Sequence, residues 1–149
     1  MAIHIINGPN LNLVGQREPA IYGSTPLKEA MTSLKQQFAG QIELVTFQSN
    51  HEGELVDKLQ ELGFGESRPL GIVLNAGALG HTSLALGDCI KAIETPVIDV
   101  HISNVYAREA FRQNSFVTPA CVGSISGLGL EGYRLAVDWF LRKHTRENN

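Results

Sequence analysis

Residues 70–104 read LGIVLNAGALGHTSLALGDCIKAIETPVIDVHISN, and the order of their apolar runs decides the fold. Leu70–Leu74 is apolar throughout, as a strand covered on both faces should be. After the polar NAGALGHTS, the spacing predicts a helix from about Thr82, which would cap it, to Ile93, with Leu84, Leu86 and Ile90 pointing inward. Gly87 inside that helix costs it about 1 kcal/mol relative to alanine. Pro96 restarts the chain as PVIDVHISN, a strand whose Val97, Ile98, Val100 and Ile102 are apolar while Asp99 and His101 are not. Strand, helix and strand in succession imply a parallel pair, because parallel strands need a long crossover connection.

The same alternation extends in both directions. Ala2–Ile6 is a short apolar run carrying only His4 and reads as a buried strand. Ser24 or Thr25 is expected to cap a helix beginning at Pro26, with Leu27, Ala30, Met31, Leu34 and Phe38 on one face and Gly40 at its end. Ile42–Phe47 alternates as a second strand, and Leu55, Val56, Leu59 and Leu62 mark a second helix closed by Gly63 and Gly65. Beyond residue 104, a short helical segment is expected over Ala107–Arg112, a fifth strand over Cys121–Ile125 and a closing helix over Leu130–Leu141. Leu135, Ala136, Trp139 and Phe140 are that last helix's candidates for burial. Five strands alternating with helices predict one α/β domain over residues 1–149, a doubly wound parallel sheet with helices on both faces. A flavodoxin-like strand order is the natural choice for five strands, although the pattern alone does not derive it.

Composition narrows the function. At 149 residues, 43% hydrophobic and 18% charged, the chain can bury roughly two-thirds of its unfolded surface without a staple. A formal charge of -3 with scattered basic residues argues against a nucleic-acid surface. Cys89 and Cys121 form no CxxC and suggest reduced thiols in a cytoplasm. The opening MAIHIING has no basic n-region, and no apolar run approaches the roughly 20 residues of a membrane helix.

Ligands of a doubly wound sheet bind beyond the carboxyl ends of its strands. Those ends deliver Asn7, Asn10, Arg17 and Tyr22, then Gln48, Asn50 and Glu52, then Asn75 and His81, then His101, Ser103 and Asn104, and lastly Ser124 and Ser126. A small polyhydroxylated or carboxylated ligand suits such a set. Asn7–Gly23, NGPNLNLVGQREPAIYG, is too long for an ordinary connection and is expected to hold a lid within residues 8–23; a mobile surface loop is the plain alternative. Asp99 and His101 lie two apart on one strand face, so the carboxylate can fix the histidine tautomer and stabilise its imidazolium, making a general acid. A core histidine satisfied by its neighbour is the competing reading. Tyr22 beside Arg17 is the candidate base, since a guanidinium favours the phenolate.

Absences choose among mechanisms. Lys28, Lys35, Lys58, Lys91 and Lys143 all fall in expected helices, so no strand end offers an amine for an imine. Carboxylates do not cluster with histidines as a metal site requires, so no metal is expected. Gly127, Gly129 and Gly132 spell GxGxxG, but no second βαβ unit follows, and they read as a turn into the last helix.

The segments GPNLNLVGQREPAIYG, QSNHEGELVD, NAGALGHTSLALGD, VHISN and REAFRQNSFVTPACVGSISGLGLEGY resemble the type II 3-dehydroquinate dehydratases of the shikimate pathway, in order and spacing, over nearly the whole chain. The resemblance implies reversible, cofactor-free and metal-free dehydration of 3-dehydroquinate to 3-dehydroshikimate through an enolate. It further implies Tyr22 as base, Arg17 as transition-state stabiliser on a closing lid, His101 as acid supported by Asp99, and Asn10 as positioner of a water. Asn75, His81, Ile102, Ser103 and Arg112 would bind substrate, the backbone amides of Ile102 and Ser103 taking its carboxylate. Asp88 would reach a neighbouring subunit's site within a dodecamer built from trimers. Three positions depart from the family pattern: Gly80 replaces a threonine and is expected to loosen the loop carrying His81, Gly87 replaces an arginine, and Asp99 replaces a glutamate and is expected to reach His101 less well or through water. A non-catalytic FMN-binding or small-ligand module of the same architecture is the rival, disfavoured because GPNLN is no Ser/Thr-rich phosphate cradle.

Overall fold

The apolar runs become strands β1 (Ala2–Asn7), β2 (Glu43–Gln48), β3 (Gly71–Asn75), β4 (Val97–His101) and β5 (Gly123–Ser126) in a computed structural model that describes residues 1–149. All neighbours are parallel, in the order β2-β1-β3-β4-β5, which is the flavodoxin-like arrangement expected. Between them run α1 (Pro19–Tyr22), α2 (Leu27–Gln37), α3 (Glu52–Gly63), α4 (Leu84–Ala92) and α5 (Glu131–Glu147).

Strand alternation sends side chains to two separate cores. Ile3, Ile5, Val73, Ile98 and Val100 meet Leu27, Met31 and Leu34 of α2 and Tyr133, Val137 and Phe140 of α5. Ile6, Ile72, Leu74 and Val97 meet Leu55 and Leu59 of α3 and Leu86 and Ile90 of α4 on the other face. Asp99 and His101, alternating with Ile98 and Val100, therefore point to the α3/α4 face, and both are buried. Register aligns Asn7 with Gln48 and Asn75, and His101 with Ser126, so the polar strand ends share one edge of the sheet.

Several boundaries differ from the sequence reading. Ser24 and Thr25 do not cap α2; Pro26 holds the N-cap position without a side-chain bond, because the loop folds back on it at Gly15. Ser83 rather than Thr82 caps α4, its hydroxyl accepting the Leu86 amide at 3.0 Å, since a 3-10 turn over Gly77–His81 carries the chain past Thr82. That shift turns Leu84 outward, 62% exposed instead of buried. The single helix expected over Ala107–Arg112 is two 3-10 turns, Val105–Ala107 and Ala110–Gln113, the first capped by Asn104. Strand β5 starts two residues later than expected, because a further 3-10 turn, Thr118–Ala120, bonds the Cys121 amide. Trp139 stays 43% exposed while Tyr133 and Val137 take the buried face of α5. The Asn7–Gly23 stretch is not structureless: Asn7 completes β1, and Leu11–Leu13 and α1 are helical turns within it.

Candidate active site

At the carboxyl edge of the sheet, a pocket is lined by the Pro9–Tyr22 segment, by Asn75 and the Gly77–His81 turn, and by His101–Arg112. Nine residues singled out from the sequence lie on it: Asn10, Arg17, Tyr22, Asn75, His81, His101, Ile102, Ser103 and Arg112. No aspartate or glutamate lines it, whereas Arg17, Arg108 and Arg112 do. Such a wall attracts an anion, and guanidinium groups suit a carboxylate in particular.

Tyr22 is 9% exposed, and its hydroxyl oxygen accepts from Arg17 Nη2 at 3.0 Å and from Arg108 Nη1 at 2.9 Å. Both guanidinium carbons also stand over its ring, 4.7 and 5.4 Å from the centroid. Two cationic donors thus converge on one oxygen, placed to offset negative charge that develops there. Arg108, which also donates to Ser103 Oγ at 3.2 Å, was not singled out from the sequence although the quoted REAFRQNS motif begins with it. Its role depends on a contact across 86 residues. Glu109 anchors this arginine cluster from the solvent side, bonding Arg112 at 2.9 Å. Its carboxyl is held below the usual range by its own backbone amide first and by Arg112 and Arg108 after that.

On the opposite wall, Asp99 Oδ2 accepts from His101 Nε2 at 2.9 Å, which leaves Nδ1 as the ring nitrogen free for a ligand. The shorter acid thus reaches His101 directly, against the expectation of a poorer or water-mediated contact. His81 stacks on His101 with ring centroids 5.7 Å apart, and its Nδ1 donates to the Asn114 carbonyl at 2.7 Å, leaving Nε2 as the ring nitrogen free for a ligand. The Gly80 carbonyl accepts from the Phe116 amide and from Ser115 Oγ, which ties this loop to residues 115–116.

Asn75 is fixed at both ends, its Nδ2 donating to Tyr133 Oη at 2.8 Å and its Oδ1 accepting from the Gly77 amide. Burial pushes the Tyr133 hydroxyl well above its ordinary range, so it remains a donor, to Asn7 Oδ1 at 2.6 Å. Asn7 is therefore structural rather than a pocket group. Gln48 and Asn50 also act from behind, on the Gly8 carbonyl and the Asn10 amide. Asn10 and Glu18 hold left-handed backbone conformations, φ 66° and 41°, strain of the kind that gathers in binding loops. Asp99 lies beneath the pocket rather than on it, and Asp88 is exposed on α4 outside it. No group of three or more His, Cys, Asp or Glu side chains is placed to hold a metal ion.

The family model described as dehydroquinase class II matches residues 1–141. The chain belongs to that family. It is 50% identical over 145 residues to a 3-dehydroquinate dehydratase of Bacillus licheniformis, covering 97% of this chain and 98% of that protein. The Bacillus subtilis protein of the same name is 48% identical over 146 residues. A crystal structure of type II dehydroquinase from Butyrivibrio crossotus superposes with TM-score 0.89 at 43% identity, covering 94% of this chain and 97% of that one. Within the class II dehydroquinase family the five-stranded sheet therefore has solved counterparts.

Proposed function

We propose that this chain is a 3-dehydroquinate dehydratase, eliminating water from 3-dehydroquinate to give 3-dehydroshikimate in the shikimate route to aromatic amino acids. The observation that carries the reading is the Tyr22 hydroxyl held by two guanidinium groups across one pocket from the Asp99–His101 pair. Tyr22 as phenolate removes the proton beside the ketone, and the electron pair moves onto the ketone oxygen as an enolate. The enolate then collapses, the carbon–hydroxyl bond breaks, and His101 as imidazolium gives its proton so that water departs. Exchange with solvent returns the proton from Tyr22 to His101 and resets both.

Asn10 positions a water against the enolate, and Arg17 with Arg108 offsets the charge that develops near Tyr22. Arg112 and His81 Nε2 meet ring hydroxyls, Asn75 and Ser103 hold the substrate, and the Ile102 and Ser103 amides take its carboxylate. The segment within residues 8–23 closes as a lid over that complex. None of the five lysines lines the pocket, so the reaction proceeds without an imine, and it uses no metal. The exposed Asp88 serves a neighbouring subunit's site in a dodecamer of trimers, and the enzyme works in the cytoplasm with both thiols reduced; Cys121 is pushed up to about 12 by burial and by Asp99. No helix is long and apolar enough to cross a membrane.

The direct test is incubation with 3-dehydroquinate. The conjugated-enone absorbance of 3-dehydroshikimate should rise with time; a folded preparation that produces none refutes the assignment.

A further inference from the structure

Asp99 is the one aspartate or glutamate buried in this protein, fully so, and no lysine or arginine pairs with it. Its Oδ1 has no hydrogen-bond partner among the protein's own groups. Everything that orients the carboxylate therefore acts on Oδ2, which receives His101 Nε2 at 2.9 Å and Thr118 Oγ1 at 2.5 Å. One donor leaves a carboxylate free to swing about its last torsion; a second donor defines its plane. That plane sets the line along which His101 is held.

Thr118 is itself held. Ser115 Oγ, 2.9 Å from the Thr118 hydroxyl, accepts the Val117 and Thr118 amides at 3.2 and 2.9 Å and gives its own proton to the Gly80 carbonyl at 3.2 Å, while the Thr118 proton goes to Asp99. The preceding carbonyl, of Asn114, receives His81 Nδ1. Residues 114–118 thus reach both histidines of the pocket. The segment can lie where it does because α4 presents Gly87 to it: a Cβ there would stand 2.3 Å from the Phe116 carbonyl oxygen. The helix interior tolerates the glycine's cost because a backbone packs on it.

We propose that Thr118, carried by the 114–118 segment docked on Gly87, is a positioning residue for proton donation: its hydroxyl sets the Asp99 carboxylate, which sets His101. The proposal rests on the reading of His101 as the acid. Proton removal by Tyr22 lies on the other wall and does not depend on Thr118. Loss of the hydroxyl should accordingly slow departure of water more than exchange of the proton beside the ketone.

Thr118→Val keeps the volume and removes the donor, and Thr118→Ser restores it. Dehydration rate, KM and exchange of the substrate proton in deuterated water are measured for both, with His101→Ala alongside. For Thr118→Val, kcat should fall about tenfold, a fraction of the roughly 10² to 10⁴ that a positioned acid supplies. KM should stay within about twofold, exchange should fall less than dehydration, and Thr118→Ser should recover most of the rate. An unchanged Thr118→Val enzyme overturns the proposal, and so does an equal fall in both rates without recovery in Thr118→Ser, which would mark a merely structural residue. Should Thr118→Val not fold, Ser115→Ala removes the prop behind Thr118 and is expected to show the same selective loss in smaller degree; equal loss of both rates there overturns it. If His101→Ala lacks selectivity the acid assignment fails and the proposal with it, whereas selectivity in His101→Ala but not in Thr118→Val condemns Thr118 alone.

Discussion

Tyr22 has its hydroxyl between Arg17 and Arg108, and the consequence is asymmetric. Replacing it by phenylalanine removes the base yet leaves the buried ring, so folding should persist while turnover falls by roughly 10² or more; a Tyr22→Phe enzyme within about tenfold of wild type would contradict the base assignment. His4 offers a test of stability instead. Burial first, and Lys58 after it, hold its imidazole below the ordinary value of 6.5. The unfolded chain therefore takes the proton first on acidification, so this contribution is complete above the ordinary value and is lost as pH falls below it. Calorimetry at about pH 7 and about pH 5.5 should show a smaller drop in melting temperature for His4→Gln than for wild type; an equal drop would mean that His4 is not the group responsible. Tyr22, Arg17, Asp99 and His101 stood out as candidates from type and spacing, and the fold brings the first two together and the last two together. Arg108 and Thr118 did not stand out, because each acts through a partner that only the folded chain brings near.

Among the elements, α5 shows how backbone proximity selects residues. Gly71 opens β3, and a Cβ there would meet the Phe140 ring at 2.4 Å. Gly71→Ala should thus destabilise by about 1–3 kcal/mol through overpacking, read as a lower denaturation midpoint at unchanged slope; a neutral result would show that Phe140 can turn away. The existence and type of the five strands and four long helices were visible in apolar periodicity. Their ends were less so: Thr82 and Ser83 are equally good caps by composition, and only the preceding 3-10 turn chooses Ser83. The Ala107–Arg112 stretch has helical composition, but the Asn104 cap and the pull of Tyr22 on Arg108 break it into short turns.

For the whole molecule, two treatments test the mechanism without a mutation. Activity should survive both a chelator and borohydride in the presence of substrate; inactivation by borohydride that depends on substrate would establish an imine and refute the proposed route. Sedimentation of the intact protein should show a species near twelve chains, and Asp88→Ala should weaken substrate binding without altering the isolated fold.

Local sequence determined the parallel α/β class, the polar strand ends and which side chains were candidates for acid and base, because periodicity and residue type act over a few neighbouring positions. Tertiary structure alone decided which polar groups reach the pocket and which stand behind it. Asn7 turned inward to Tyr133, Asp99 reached His101 directly, and Gly87 and Gly80 proved to be contact surfaces for the 114–118 segment. These are contacts between distant parts of the chain, set by how sheet and helices pack, and no local pattern encodes them.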